Sequence, residues 1–460
     1  MALDRNLYRK LFSIVAPIAF QYLTASLVTA SDAFMLGFLD QDSLSAASLA
    51  AQVPFVFSLF FGAFVFGLTV LASQYWGKGD KKAVDEILAI TMRYCLLVGV
   101  IFTAACILCP ELLMHIFTSD DALIKEGARY LRMVSPQFLL SGFTQAYYGI
   151  MKVCDRAKLS SLIGSLSVFL NIGLNALLIF GVWIFPRMGI TGAALATDLA
   201  RVFETIVVII VVAKGKCPKL NIRIMFRTQT KFLHRDYWKY SLPLLFNQLG
   251  WGGGVTMYSV IMGHLGSDAV AANSIASIVR CIIASFCWGI AAGVGIILGG
   301  MLGRGELEKA KKAGGSFTRA SIVIGVGSGL VILALTPLVL HFITLEPTAQ
   351  HYLKYMMLLA AYYIIGNSLN STVIGGILPA GGDTKFGMIC DGVTMWAVIL
   401  PAGFFCAFVL KLPVLVVAFI LTLDEFVKIP WVYKHYVKYK WVKNITKEKK
   451  EQEQIQTGEN

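Results

Sequence analysis

Charge is what this sequence has least of. Only 15% of its 460 residues are Asp, Glu, Lys or Arg, where a soluble globular chain carries about 25%. With 57% hydrophobic residues and a mean hydropathy of +0.70, that shortfall excludes an ordinary water-soluble domain. No G-x-x-x-x-G-K-[ST] occurs, so the phosphate-cradling loop of an ATP-driven pump is missing. The six histidines (115, 234, 264, 341, 351, 435) show no ligand spacing. No nucleophile–base set is present either, so the chain reads as a non-enzyme without cofactor or metal centre. Cys106 and Cys109 form a C-x-x-C, yet no second pair and no βαβ context accompany it. They read as small apolar residues of a helix. A cleavable signal peptide is not expected, because the first apolar run is too long for an h-region and lacks a small-residue cleavage site.

Long apolar runs fill the rest. A span needs about 20 apolar residues to cross a ~30 Å hydrocarbon core. Windows of that length predict about twelve spans, near 10–37, 45–73, 87–116, 124–152, 158–184, 188–213, 238–264, 268–302, 315–344, 350–380, 385–409 and 413–436. The formal net charge of +13 is distributed unevenly. Basic residues crowd alternate connections: Lys78, Lys81 and Lys82; Lys152, Arg156 and Lys158; the segment 214–237; Arg304, Lys309, Lys311 and Lys312; and the tail from Lys434. The intervening connections hold Asp40, Asp42, Asp120, Asp121, Asp268 and Glu346. This positive-inside pattern predicts a multi-pass protein of the plasma (inner) membrane with both termini cytoplasmic. It also argues against nucleic acid as the partner of a basic chain.

The two halves repeat at an offset of 226 residues. Asp42 falls on Asp268, Ser48 on Ser274, Pro17 on Pro243, "GKGD" (77–80) on "GRGE" (303–306) and Asp198 on Asp424. Two repeats of six spans share one orientation and are related by an axis along the membrane normal, with the transported molecule between them. The expected fold is therefore an all-α integral membrane protein, twelve transmembrane helices in two pseudo-symmetric six-helix bundles. The expected division is an N-terminal lobe 1–213, a cytoplasmic linker 214–237, a C-terminal lobe 238–442 and a disordered tail 443–460.

Acidic residues inside spans are few, and each costs roughly 2.5–3.5 kcal/mol on insertion scales. Asp198, Arg201 and Glu204 share a helix face, either as an ion-pair ladder or as a proton path. Lys428 is placed to pair with Asp424 or Glu425. Asp32 has no basic residue within a turn or two, so its partners come from another span. Depth points to Asn171, Asn175 and Thr197, because Asp32 is about 9 Å and Asn175 and Thr197 about 13 Å from the outer surface. One carboxylate with amide and hydroxyl oxygens can hold Na⁺, and the same cluster can hold a proton.

At these residues the sequence resembles the multidrug and toxic compound extrusion (MATE) family. "SDAFMLG" (31–37), "SQYWGKGDKKAV" (73–84), "NIGLNALLIFG" (171–181) with "GITGAALAT" (189–197), and "GGILPAGGDTK" (375–385) resemble family segments in family order. The resemblance implies a cation-coupled antiporter of two six-helix lobes that exports organic, cationic drugs or metabolites by alternating access. By position, Asp32, Asn171 and Thr197 match the polar site of the N-terminal lobe. Asn175 stands where many relatives have Asp, which favours H⁺ over Na⁺ at Asp32, with Asp198 as a proton relay. Spans 7 and 10 carry no acid, so coupling through the C-terminal lobe in the manner of a second family branch is not expected. Tyr147, Met257, Trp288 and Tyr362 are the expected lining of a substrate cavity. Pro17 is the expected hinge of span 1. The glycines of "GWGGGVTMYS" (250–259) permit either a bend in span 7 or close helix packing. Besides substrate, cation and lipid bilayer no partner is called for, and the chain is expected to be a monomer. The rival reading is a flippase for lipid-linked oligosaccharide or peptidoglycan precursors. It calls for several cavity arginines to bind pyrophosphate, and the clear mid-span arginines are only Arg201 and Arg280.

Overall fold

The computed structural model describes residues 5–37, 41–181, 185–215, 217–218, 225, 230–343 and 345–446. Of these, 5–11, 27, 29, 30, 32–34, 36, 37 and 41–44 are described by backbone alone. Among the described residues every regular element is helical. The twelve apolar windows fall on α1 (Arg5–Gly37), α2 (Gln52–Lys78), α3 (Lys81–Leu108), α4 (Pro136–Val153), α5 (Ala157–Phe180) and α6 (Ile190–Ala213), except that windows 45–73 and 124–152 are each divided, with the shorter helices Gln41–Ala50 and Asp121–Val134 ahead of α2 and α4. They continue through α7 (Lys231–His264), α8 (Ser267–Gly303), α9 (Leu307–Phe342), α10 (Pro347–Ala380), α11 (Thr384–Val409) and α12, a broken run over 414–436. Among the described residues seven stretches, in α2, α3, α5 and α8 to α11, are long and apolar enough to cross a membrane. Of the others, α6 carries Asp198, Arg201 and Glu204, and α12 is broken at 422–423 and at Lys428 into short helices.

The packing is that of helices in lipid. Large apolar side chains lie exposed along one face of α9, with Val323 72% and Leu330 61% accessible. The opposite face carries Ser321, Gly325 and Gly329, one helical turn apart. A Cβ on Gly329 would lie 2.8 Å from the Ala361 carbonyl oxygen of α10, and Ser368 of α10 donates to the Ser321 carbonyl at 2.8 Å. Where lipid supplies no hydrophobic drive between helices, small residues let backbones approach and form dispersion contacts.

The "GKGD" and "GRGE" motifs turn the chain between helices. Gly79 adopts φ +85° and closes α2, and Asp80 then accepts the Ala83 N–H at 3.2 Å as the N-cap of α3. Gly305 repeats the positive φ, +78°, between α8 and α9. In "GGDTK", Asp383 Oδ2 lies 2.6 Å from His435 Nε2, whose ring stacks on Phe386 at 3.8 Å.

Two compact units are present. The N-terminal unit spans Thr24–Ser241, and the C-terminal unit joins Met1–Leu23 to Leu242–Thr446. In the N-terminal unit, Phe57 stacks edge-on to Phe102 and Phe138, with ring centroids 5.3 and 4.9 Å away. In the C-terminal unit, the early part of α1 seats on α8. A Cβ on Gly289 would lie 2.5 Å from Ala19 Cα, and one on Gly293 2.5 Å from Val15 Cγ2. Pro17 lies between those two contacts, inside the helix.

Candidate functional site

In the N-terminal unit a polar seam runs between α5 and α6. Ser167, Asn171 and Asn175 are spaced four residues apart on α5, so they lie along one face. Asn175 Nδ2 donates to Asn171 Oδ1 at 3.3 Å. Asn171 Nδ2 donates to Thr197 Oγ1 at 3.3 Å, and Thr197 Oγ1 donates in turn to the Ala193 carbonyl at 3.0 Å. One turn below, Ser167 donates to the Ala200 carbonyl at 3.1 Å. The helices approach this closely because Gly192 leaves room, a Cβ there falling 2.7 Å from the Leu178 carbonyl oxygen. Asn171 and Asn175 are buried, 4% and 0% exposed. Three of the four residues expected to form the cation site are therefore neighbours. Asp32 is the fourth: its backbone is helical in α1, and its side chain lies outside the described residues.

Asp198 is beside Thr197 in sequence and not in the seam. Adjacent helical residues point about 100° apart, and Asp198 lies against the backbone amide of Gln137 on α4 instead. It is 7% exposed, and its Oδ1 makes no hydrogen bond. The expected ladder with Arg201 and Glu204 is only half formed. Arg201 Nη1 meets Glu204 Oε2 at 2.6 Å, and Asp198 takes no part.

The aromatic and Met residues expected at a cavity are distributed between the units. Tyr147 is buried in the N-terminal unit, tilted against Phe143. In the C-terminal unit Met257 and Trp288 pack on the core, Trp288 edge-on to Trp251. Tyr362 stacks on Phe426 with centroids 3.9 Å apart.

The C-terminal unit holds a second polar cluster that sequence reading did not assemble. Lys428 Nζ bridges Asp391 Oδ1 and Glu425 Oε2, each at 3.0 Å. Asn247 Nδ2 donates to Asp391 Oδ2 at 2.9 Å. Glu425 also accepts from Asn367 Nδ2 at 3.1 Å, Tyr363 Oη at 3.3 Å and Asn370 Nδ2 at 2.8 Å. Spacing allows Lys428 to pair with either Asp424 or Glu425, and it pairs with Glu425. The Asp391 partner and the asparagines are not legible from spacing, because they come from α7, α10 and α11.

A sequence model of the MatE family matches residues 17–177 and 243–421. The chain is similar to an uncharacterised transporter, YisQ, of Bacillus subtilis, 22% identical over 394 residues and covering 86% of each chain. It is similar to a probable multidrug resistance protein, NorM, of Thermotoga maritima, 23% identical and covering 86% of this chain and 85% of that one. The fold is that of the Vibrio cholerae MATE transporter VcmN in its bent form, with TM-score 0.83, 15% identity and coverage of 95% and 97%. Because the matched segments take in both repeats, the chain belongs to the MatE family of membrane transporters.

Proposed function

We propose that the protein is an H⁺-coupled antiporter that exports organic cations across the plasma membrane by alternating access, with Asp32, Asn171, Asn175 and Thr197 as its coupling site. The observation that carries this reading is the α5–α6 seam, together with the register of α1 beside it. Thr24 Oγ1 of α1 lies 3.4 Å from Ser165 Oγ of α5. Counting 1.5 Å per residue from that contact, Asp32 is about 12 Å further along α1, between Asn171 at about 9 Å and Asn175 at about 15 Å along α5. That common level supports a site of one carboxylate, two amides and a hydroxyl. A proton suits such a donor set better than Na⁺ does. Asn171 Oδ1 and Thr197 Oγ1 already accept hydrogen bonds from neighbouring amides, and a single carboxyl needs no cage to take a proton. Protonation removes the charge on α1, and Pro17, which deletes a backbone hydrogen bond in the same helix, is the hinge that responds. The names carried by relatives, multidrug resistance proteins among them, support the export of drug-like compounds.

The test is efflux of a fluorescent organic cation from proteoliposomes under a proton gradient or a Na⁺ gradient, imposed separately, for wild type and Asp32→Asn. The expected result is transport on the proton gradient alone and its loss in the variant. Transport on Na⁺ alone overturns the coupling assignment. Dye movement on neither gradient overturns the export reading and makes lipid-linked pyrophosphates the next substrates to test.

A further inference from the structure

We propose that Asp424 is a proton-carrying carboxyl of the C-terminal unit, the repeat counterpart of Asp198 in the N-terminal unit. The inference goes beyond the Asp32 site and does not depend on it. It begins with the repeat. Asp198 and Asp424 occupy the same position at the 226-residue offset. Both are buried, 7% and 4% exposed, and both leave Oδ1 without a hydrogen bond. Their surroundings correspond as well. Asp198 lies against Gln137, and Tyr363, at the offset position of Gln137, is among the groups within electrostatic reach of Asp424. Outside this position the two neighbourhoods have diverged: Arg201 and Glu204 align with Val427 and Pro430. The acid is thus retained at one repeat position among unlike neighbours.

The second line of argument is the state of the groups around Asp424. Glu425 is saturated: Tyr363 and Asn367 donate to Oε1, and Asn370 and Lys428 to Oε2. Asp391 accepts from Lys428 and from Asn247. Both acids are ion-paired to the Lys428 ammonium, and their remaining contacts are with donors, which leaves neither carboxyl a place for its own proton. Lys428 satisfies two carboxylates, and the guanidinium of Arg280 lies over the Tyr363 ring, 5.0 Å from its centroid, with Nη2 near Ser277 Oγ. Asp391, Glu425, Lys428 and Arg280 therefore already sum to zero charge. An ionised Asp424 adds one uncompensated negative charge and an oxygen with no donor, in a setting where bare charge is the most costly state. A proton on Asp424 restores neutrality and needs no cage of ligands. A metal cation would balance the same charge but needs a cage of oxygens, and those of Asp391 and Glu425 are already taken up by Lys428 and the asparagine amides. Two donors are near the ionised state: the backbone N–H of Glu425, which hydrogen-bonds the carboxyl, and a tyrosine. The Tyr258 hydroxyl of α7 is within electrostatic reach of Asp424, and it too makes no hydrogen bond among the described residues. The groups facing Asp424 are thus Glu425 and Lys428 on its own segment, Tyr363 on α10, Arg280 on α8 and Tyr258 on α7, with Asp391 of α11 joined to them through Lys428.

Infrared difference spectroscopy tests this on the full-length protein reconstituted in lipid and titrated with pH. A protonated carboxyl has a C=O stretch resolved from the amide bands and shifted by H/D exchange. The expected result is a titrating carboxylic band that is lost in Asp424→Asn and kept in Asp32→Asn and in Asp198→Asn. If Asp424→Asn does not fold, Asp424→Glu with carboxyl-¹³C aspartate decides. The wild-type band shifts with the label, and the variant's replacement band does not. Identical carboxylic bands in wild type and Asp424→Asn at every pH overturn the proposal. So does a band in labelled Asp424→Glu that still shifts in full, or loss of the wild-type band on adding Na⁺ at constant pH. The measurement uses neither drug nor gradient, so its outcome is separate from that of the export reading.

Discussion

At the residue scale, each unit gathers buried polar groups into a connected cluster, and the changes that matter add or remove one charge within it. Asn175→Asp adds a carboxylate next to Asn171 and within the seam that ends on Thr197. A second negative charge at the proposed site is expected to make Na⁺-driven efflux measurable where wild type shows none. Efflux rate against Na⁺ concentration checks it. Lys428→Met removes the ammonium shared by Asp391 and Glu425. Its side chain is 10% exposed, and breaking a buried pair from one side costs about 3–5 kcal/mol. A large fall in thermal unfolding temperature in detergent is expected, with Lys428→Arg close to wild type. Equal stability of all three proteins would mean that the acids take up protons once the ammonium has gone.

At the element scale, proline writes the irregular geometry. The helix widens to a π-type ladder over Val373–Ile377, Val393–Ile399 and Phe405–Val409. Pro379 and Pro401 each stand four residues beyond a carbonyl of the first two of those turns, whereas the third lies at the helix end, ahead of Pro413 at the N-cap of the next helix. A proline ring collides with the carbonyl four residues back and offers it no N–H, so the preceding turn opens. Pro401→Ala restores the donor. Hydrogen exchange over 397–401 is expected to slow by about 1 kcal/mol of local protection; unchanged exchange assigns the wide turn to packing alone. Glycine sets the other constraint. Gly289→Val drives a side chain into the α1 backbone at Ala19. Overpacking of this kind costs about 1–3 kcal/mol, to be read as a lowered unfolding temperature with Gly289→Ala intermediate.

At the scale of the whole molecule, the repeat and the charged connections act together. If the basic connections face the cytoplasm, the end of α3 faces outward, and Cys109 there is exposed. On the opposite side Cys154 is buried, and burial pushes its thiol up to about 12, which suppresses the reactive thiolate. A membrane-impermeant maleimide is expected to label Cys109 in right-side-out vesicles and to leave it unlabelled in inverted ones. The reverse pattern inverts the topology. The compact units bear on the same question differently. The sequence repeat suggests boundaries at the basic linker, whereas the units divide inside α1, at Leu23, and inside α7, at Ser241. Sequence similarity records duplication, and contacts record which neighbour each stretch of a long helix touches.

What the sequence by itself determined is whatever the solvent and the chain's local chemistry dictate. Lipid requires backbone groups to be satisfied within each segment, so the twelve apolar windows became helices, and Gly79, Asp80 and the prolines marked their ends and irregularities. Helical spacing on one element was equally legible, which is why Asn171 with Asn175, Arg201 with Glu204, and Lys428 with either Asp424 or Glu425 could be paired in advance. Partners from other elements were a different matter. That Asp198 turns to Gln137 and away from Thr197, or that Asp391 shares Lys428 with Glu425 under the amides of Asn247, Asn367 and Asn370, depends on helix rotation and register. Those are set by where small residues such as Gly192, Gly289 and Gly329 let backbones meet. A hydrogen bond is decided over a few tenths of an ångström, and only the packed tertiary structure fixes positions to that precision.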